Sequence, residues 1–376
     1  MCVTRFVRSG PRMNNRSIVF LSGGNAQSIA GFRARAFACY LSSEYDIALA
    51  YRTGNKLVAI LRFLRVLHGR KPEITYVVDS AFSAVIAGLL YKLVFANRLV
   101  IDTGDPAYAL ARSMGRSKLT LLLSWLLESV SFRVANHVVV RGTNHKRLLS
   151  KGIPVEVIHD GVDCALFRPM DVADLRRRWG LENVITVGVM GSITWNRRLQ
   201  WCYGVELVEA MCLLRDLPIK GVIIGEGSGL AVLKKRAREL GIEDRILFLG
   251  RIPHEELPPY LNLIDICLST QTNDTVGQVR TTSKLPEYLA SGKFVLASRV
   301  GEAALLLPDN MLVDYESTSD RHYAKKLAGK IRAICEQPQM FSAQISRPLA
   351  VEHFDYSVLS RRLSDVLVTV ARSCVN

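Results

Sequence analysis

Short apolar runs alternate with helix-period stretches along this chain, and the alternation runs through twice. Continuous apolar runs of four to six residues read as buried strands; longer stretches with apolar residues three and four apart read as helices. In the first series the strands are 17–21, 46–50, 74–78, 98–102, 137–140 and 155–158. The helices between them are 29–41, 56–68, 80–93, 119–135 and 144–151. The second series has strands at 185–190, 219–224, 245–249, 265–268 and 294–297, with helices from about Leu199, up to Leu240, at 254–260, 320–336 and 356–371. Strand–helix alternation of this kind demands a parallel, doubly wound sheet, because a parallel connection must cross over one face. Two series in 376 residues predict two α/β Rossmann-like domains rather than one core.

The boundaries follow from the same pattern. Residues 1–16 are basic and lack apolar periodicity, which predicts a disordered tail. Residues 17–168 form the first domain and 169–355 the second, with the charged stretch 171–180, containing Arg176, Arg177 and Arg178, at the crossing. Residues 356–376 form a closing helix that packs back on the first domain. No apolar run reaches the ~18 residues of a membrane span; the best, 81–101, is interrupted by Lys92, Asn97 and Arg98. Neither is there a signal-peptide core before Ile18. Eight cysteines without a Cys-x-x-Cys pair fit reduced thiols in a cytoplasmic protein, not a zinc site or a disulfide frame.

The net charge of +15 is unevenly placed. Residues 1–150 hold 21 Lys and Arg against 7 Asp and Glu, so almost all the excess sits there. A basic half points to an acidic partner such as an anionic membrane surface or a lipid phosphate. Nucleic acid is disfavoured, since the basic residues are dispersed and no recognised nucleic-acid motif occurs. The helices 56–68 and 119–135 are apolar enough to be either core helices or membrane-surface ones.

Ligands of such sheets gather at the C-terminal ends of strands. Four strand ends carry candidate residues: Gly23 and Gly24 after 17–21, Asp102 and Asp105 after 98–102, Gly191 after 185–190, and Gly225 and Gly227 after 219–224. Adjacent glycines admit close approach to backbone N–H groups, or simply make a turn. The stretch 277–298 reads as a polar loop, a short helix closed by Gly292, and a buried strand. Thr281, Thr282 and Ser283 are helix-start residues. Lys284 and Glu287, three apart, share a helix side. They form either a surface ion pair or a pair suited to phosphates and ribose hydroxyls.

Taken in order, these segments resemble the GT-B glycosyltransferases, and among them the large retaining group, family 4. The resemblance rests on Glu128 with 135–140, Asp160-Gly161-Val162-Asp163 with Phe167-Arg168-Pro169, and 223–227. It continues through 246–251 and Lys284-Leu285-Pro286-Glu287-Tyr288-Leu289-Ala290-Ser291-Gly292-Lys293. It implies two Rossmann-like domains facing a cleft, a nucleoside diphosphate sugar as donor substrate rather than a cofactor, retention of configuration, and no required metal. By position, Glu287 is similar to the family's ribose-binding glutamate and Arg198 to its phosphate-binding lysine. Asp102, Arg198 and Lys284 are the implied catalytic residues. Gly23, Gly24, Gly191, Gly225, Gly227, Arg251, Thr282 and Ser283 are the further donor-binding candidates. Val279 stands where many members carry a second glutamate and Ser192 where many carry an arginine, whose charge Arg197 or Arg280 could replace. A glycan or lipid-linked acceptor at the inner membrane face would suit the basic first half. The rival expectations are a sugar-nucleotide epimerase of the same fold and a sugar-nucleotide binder without activity.

Overall fold

The computed structural model describes residues 3–5, 16–149, 152–197 and 200–373. The chain divides into two compact units, 1–161 with 356–376, and 162–355.

The first unit runs β1 (Val3–Arg5), β2 (Ser17–Ser22), α1 (Ile29–Leu41), β3 (Asp46–Tyr51), α2 (Lys56–Arg70), β4 (Ile74–Val78), α3 (Phe82–Phe95) and β5 (Arg98–Thr103). It continues with α4 (Ala107–Ser113), α5 (Lys118–Val134), β6 (His137–Val140), α6 (Thr143–Leu148) and β7 (Val155–Val157). The sheet order is β1-β3-β2-β4-β5-β6-β7, parallel except for β1, which pairs antiparallel with β3. Part of the expected disordered tail is therefore a short edge strand; Arg16 enters β2, and 1–2 and 6–15 lie outside the described residues.

The strands are buried on both faces. Ile18 and Phe20 of β2 face one core and Val19 and Leu21 the other. Helices α2, α3 and α5 cover the second of these faces. The first is covered by α1 and by the last helix of the chain, α16 below. Side-chain caps set the helix starts: Ser28 accepts from the Gly31 N–H, Asn55 from Val58 and Ser117 from Thr120. Each such cap contributes ~1 kcal/mol.

The second unit runs α7 (Ala173–Arg178), β8 (Ile185–Met190), α8 (Val205–Leu213), β9 (Ile219–Ile224), α9 (Leu230–Glu239), β10 (Ile246–Gly250), α10 (Leu257–Leu261) and β11 (Ile266–Ser269). Then come α11 (Thr275–Val279), α12 (Lys284–Ala290), β12 (Phe294–Ser298), α13 (Gly301–Leu306), β13 (Leu312–Val313), α14 (Tyr323–Glu336) and α15 (Ser346–His353). Helix α16 (Tyr356–Arg372) then rejoins the first unit, against α1. The sheet is all parallel, in the order β10-β9-β8-β11-β12-β13.

Two expectations shift. The division falls at 161/162 rather than 168/169, because Phe167 is fully buried in the second unit's core and Arg347 holds its carbonyl at 3.1 Å and that of Cys164 at 2.9 Å. The helix expected from about Leu199 begins instead at Val205. Leu199 lies outside the described residues, and Gly204, at φ +102°, breaks helical geometry immediately before α8.

Candidate functional site

Both sheets have a place where neighbouring strands send their connections in opposite directions, the usual seat of a ligand in such folds. In the second unit this place is between β8 and β11. Lys284 opens α12 there, just past the loop that follows β11. Its ammonium lies 3.8 Å from the centroid of the Tyr203 ring, within cation–π range. Tyr203 is buried and donates its hydroxyl to the Leu268 carbonyl at the end of β11. Tyr288, one turn along α12, accepts from the Met190 N–H at 2.8 Å and ties α12 to the end of β8. The lysine stem runs over Gly191. This residue sits at φ +125°, and a Cβ on it would come 2.4 Å from Lys284 Cε. Glycine is thus required twice, for conformation and for the space the lysine fills.

Lys284 pairs with no carboxylate among the described residues. Burial pulls its pKa down to about 8, helped by the Arg280 charge and opposed by Glu287. This half-buried cation is held on an aromatic floor, with much of its hydration removed and no carboxylate in ion-pair contact among the described residues. Such a group gains more than a surface lysine from an arriving anion.

Glu287 follows one helical turn later, its side chain 13% exposed. It lies 3.2 Å from His254 Nε2, and the His254 ring packs at 5.2 Å against Phe167. His254 opens the turn before α10, and the sequence had shown it only as a helix start. Its contact with Glu287 bridges 33 positions and left no local signal. Ser283 precedes α12 without a side-chain cap bond, and Thr282 Oγ1 lies 3.4 Å from Ser269 Oγ. Both border the same loop. Val279 is buried, so no carboxylate occupies that position. Ser192 is exposed and lies 2.9 Å from the Thr194 hydroxyl. Arg198 lies outside the described residues.

Gly225 and Gly227 are required by packing between the loops. A Cβ at Gly225 would fall 1.9 Å from the Gly191 carbonyl oxygen, and one at Gly227 2.4 Å from that of Ile193. Their absent side chains let the loop after β9 lie on the loop after β8, so protein backbone fills that space. Arg251 is exposed after the outer strand β10 and pairs with Glu226 at 3.0 Å.

In the first unit the reversal lies between β2 and β4. A Cβ at Gly23 would fall 1.9 Å from Ala81 Cβ, and one at Gly24 2.1 Å from the Ser28 Oγ that caps α1. Gly23 thus packs against the loop after β4, and Gly24 against the cap of α1. Asp79 and Ser80, after β4, both take positive φ, at 68° and 42°. Consecutive non-glycine residues in this region store strain, which concentrates at functional positions.

Asp102 has no exposed surface. Arg33 from α1 donates to its Oδ2 at 2.6 Å and the Tyr76 hydroxyl at 3.0 Å, while Arg141 Nε stands 3.7 Å from Oδ1. Arg33 also donates to the carbonyls of His159 and Ile158. Arg141 reaches Asp79 at 3.0 Å and Asp160 at 3.3 Å. Two arginines and three carboxylates thereby join α1 to the ends of β4, β5, β6 and β7. Asp102 holds this frame together and presents no surface to solvent. The carboxylates that reach solvent here are Asp79, 43% exposed and with its pKa raised by burial against the pull of Arg141, and Asp105, part-exposed. Arg33, Asp79 and Arg141 were invisible in the sequence, because nothing local marks an arginine in an apolar helix as buried and paired.

Residues 195–345 match the family model described as Glycosyl transferases group 1. That stretch contains Tyr203, Gly225, His254, Lys284 and Glu287. The matched stretch lies within the second unit, which is to that extent similar to the group 1 glycosyl transferases. Two curated glycosyltransferase-type relatives show the same kinship. The chain is 27% identical over 152 residues to the 2-deoxystreptamine glucosyltransferase of Streptomyces kanamyceticus, covering 39% of this chain and 37% of that protein. It is 22% identical over 268 residues to the N-acetyl-alpha-D-glucosaminyl L-malate synthase of Bacillus anthracis, covering 70% of this chain and 64% of that protein. The match thus spans less than two thirds of either relative's length. Among solved structures, Anabaena HepE in complex with UDP superposes at a TM-score of 0.72 and 17% identity, over 94% of this chain and all of that one. The fold is therefore GT-B, with two Rossmann-like α/β units.

Proposed function

We propose that the chain transfers a sugar from a nucleoside diphosphate sugar to a glycan or lipid-linked acceptor, retaining the anomeric configuration and needing no metal. The observation that carries this reading is the Lys284 ammonium, without an ion pair among the described residues, at the strand-order reversal of a unit matching the group 1 glycosyl transferases, one turn from Glu287. As the glycosidic bond breaks, charge accumulates on the leaving diphosphate. Lys284 meets that charge from a fixed position, and no reorganisation is required at the moment of reaction. Glu287, oriented by His254, accepts hydrogen bonds from ribose hydroxyls. Arg198, after the loop of Gly191, supplies a second cation. HepE is solved with UDP and with UDP-glucose, which supports a donor of this class. A lipid-linked acceptor would be met at the cytoplasmic membrane face.

The test is donor turnover and donor affinity in single variants. Lys284→Ala should cost ~10²–10³ in turnover while the protein stays folded, as removal of one transition-state donor does. Glu287→Ala should weaken nucleotide binding first. Near-normal turnover in Lys284→Ala would overturn the phosphate assignment. One observation favours binding without transfer: the buried Val279 where relatives carry a carboxylate. Nucleotide-sugar binding without turnover on any acceptor would select that reading, and interconversion of donor epimers would select an epimerase.

A further inference from the structure

Helix α5 packs on the sheet through Phe132 and Leu127, yet places polar residues on that inward side and leucines outside. Ser131 is buried, Glu128 and Ser124 are part-buried, and the three lie on one side of the helix at spacings of three and four. Glu128 accepts from the N–H groups of Ala107 and Tyr108 at 2.7 and 3.2 Å. The opposite side, which should be polar on a helix facing water, carries Leu119, Leu122, Leu123, Leu126 and Val130, all exposed, with Trp125 beside them. Leu119 is 66% and Trp125 50% exposed.

The neighbouring helices extend this surface. Helix α3 ends in Leu93 and Val94, 75% and 71% exposed, with Phe95 after them, and α2 shows Leu57 at 72% and Leu61. All three helices cover the same sheet face, so their outer sides point the same way. Lys56, Phe82 and Leu123 line, with Glu128, one cavity of about 350 Å³ that is shared by α2, α3 and α5. An apolar patch of this extent marks a partner surface.

Charge identifies the partner. The segments 52–71, 80–98 and 106–135 contain six, two and four Lys and Arg, against one carboxylate, Glu128, which faces inward. We propose that α2, α3 and α5 form a docking face for an anionic bilayer, with the leucines in the headgroup–acyl boundary and Lys56, Arg62, Arg65, Arg116, Lys118 and Arg133 among the lipid phosphates. No helix among the described residues is long and apolar enough to cross a membrane, so α5 lies in the interface plane. A second copy of the chain is a poorer occupant. A two-fold contact sets a patch against itself, and here that opposes like charges around its rim.

The surface is read without turnover, so its failure leaves the proposed transfer reaction untouched. The full chain is sedimented with vesicles of phosphatidylcholine alone and with about 30% phosphatidylglycerol at low salt. Wild type should bind the anionic vesicles at least ~10-fold more tightly than the neutral ones, each basic side chain near the surface contributing about fivefold. Trp125 emission should shift to the blue on binding. The Leu122→Ser/Leu126→Ser variant changes only exposed side chains. It should lose about tenfold in vesicle affinity while keeping its thermal stability and nucleotide binding. No binding to anionic vesicles, or wild-type binding by the double variant, would overturn the proposal. So would a dimer in solution that the same variant dissociates.

Discussion

Lys284 shows how a residue's chemistry is set by what surrounds it. An ordinary lysine titrates near 10.5; this one titrates at about 8, because burial penalises its charge and Arg280 adds to the penalty. The folded state releases the proton earlier than the unfolded chain does. Between about pH 8 and 10.5 the unfolded chain therefore binds more protons, and this group's contribution to stability rises with pH across that window. Donor binding runs the other way, since the diphosphate needs the ammonium. Affinity for a nucleoside diphosphate should be flat below about pH 8 and fall above it, by at most ~10-fold per pH unit. Lys284→Arg should remove that fall, because a guanidinium stays charged. Calorimetric titration of the nucleotide across pH 7–10 reads both, and an unchanged affinity at pH 9.5 in the wild type would refute the assignment. The pairing of Lys284 with Glu287 on one helix side was legible from their spacing. The absence of an ion pair was not, because the lysine turns toward Tyr203, 81 positions away in the chain.

At the scale of elements, glycines at strand ends looked like ligand contacts, and the loops themselves claim the space. Gly225 takes φ +143° with its missing Cβ pointing at the Gly191 carbonyl. Gly225→Ala meets both strain in the left-handed region, ~1–3 kcal/mol, and a backbone contact that neither loop can relieve by rotating a side chain. Urea unfolding of the second unit should show a loss of about 3 kcal/mol or more. Nucleotide affinity should weaken as well, since Gly191 is pushed from under Lys284. The expected strands lie within a residue or two of their observed positions, because a strand buried on both faces must be a continuous apolar run, whereas the short edge strands β1 and β13 carried no such run. Helix α5 shows the limit of that reading. Its composition allowed a core helix or a surface one, and only the inward Glu128 and Ser131 reveal which side faces out.

In the whole molecule, the first unit is closed by a helix that the chain makes last. Leu359, Leu363, Val366, Leu367 and Val370 of α16 are buried against the sheet face that α1 shares. Leu363→Ala should destabilise the first unit by about 3 kcal/mol, as a buried leucine truncation does. Its unfolding transition should move, while that of the second unit stays in place. A shift of both by the same amount would mean that the two unfold as one.

Local pattern alone determined the double strand–helix series, the parallel sheets and the candidate strand ends. Burial and turn chemistry act over a few residues and leave their mark in the sequence. Tertiary structure alone decided which candidates meet. It took Asp102 out of contact with solvent, laid the loop after β9 on the loop after β8, set His254 on Glu287 and left Lys284 without an ion pair among the described residues. Each of these outcomes depends on groups tens of positions apart that share one low-dielectric space. The energy of such an arrangement belongs to the pair and its surroundings, not to either residue's neighbours in the chain.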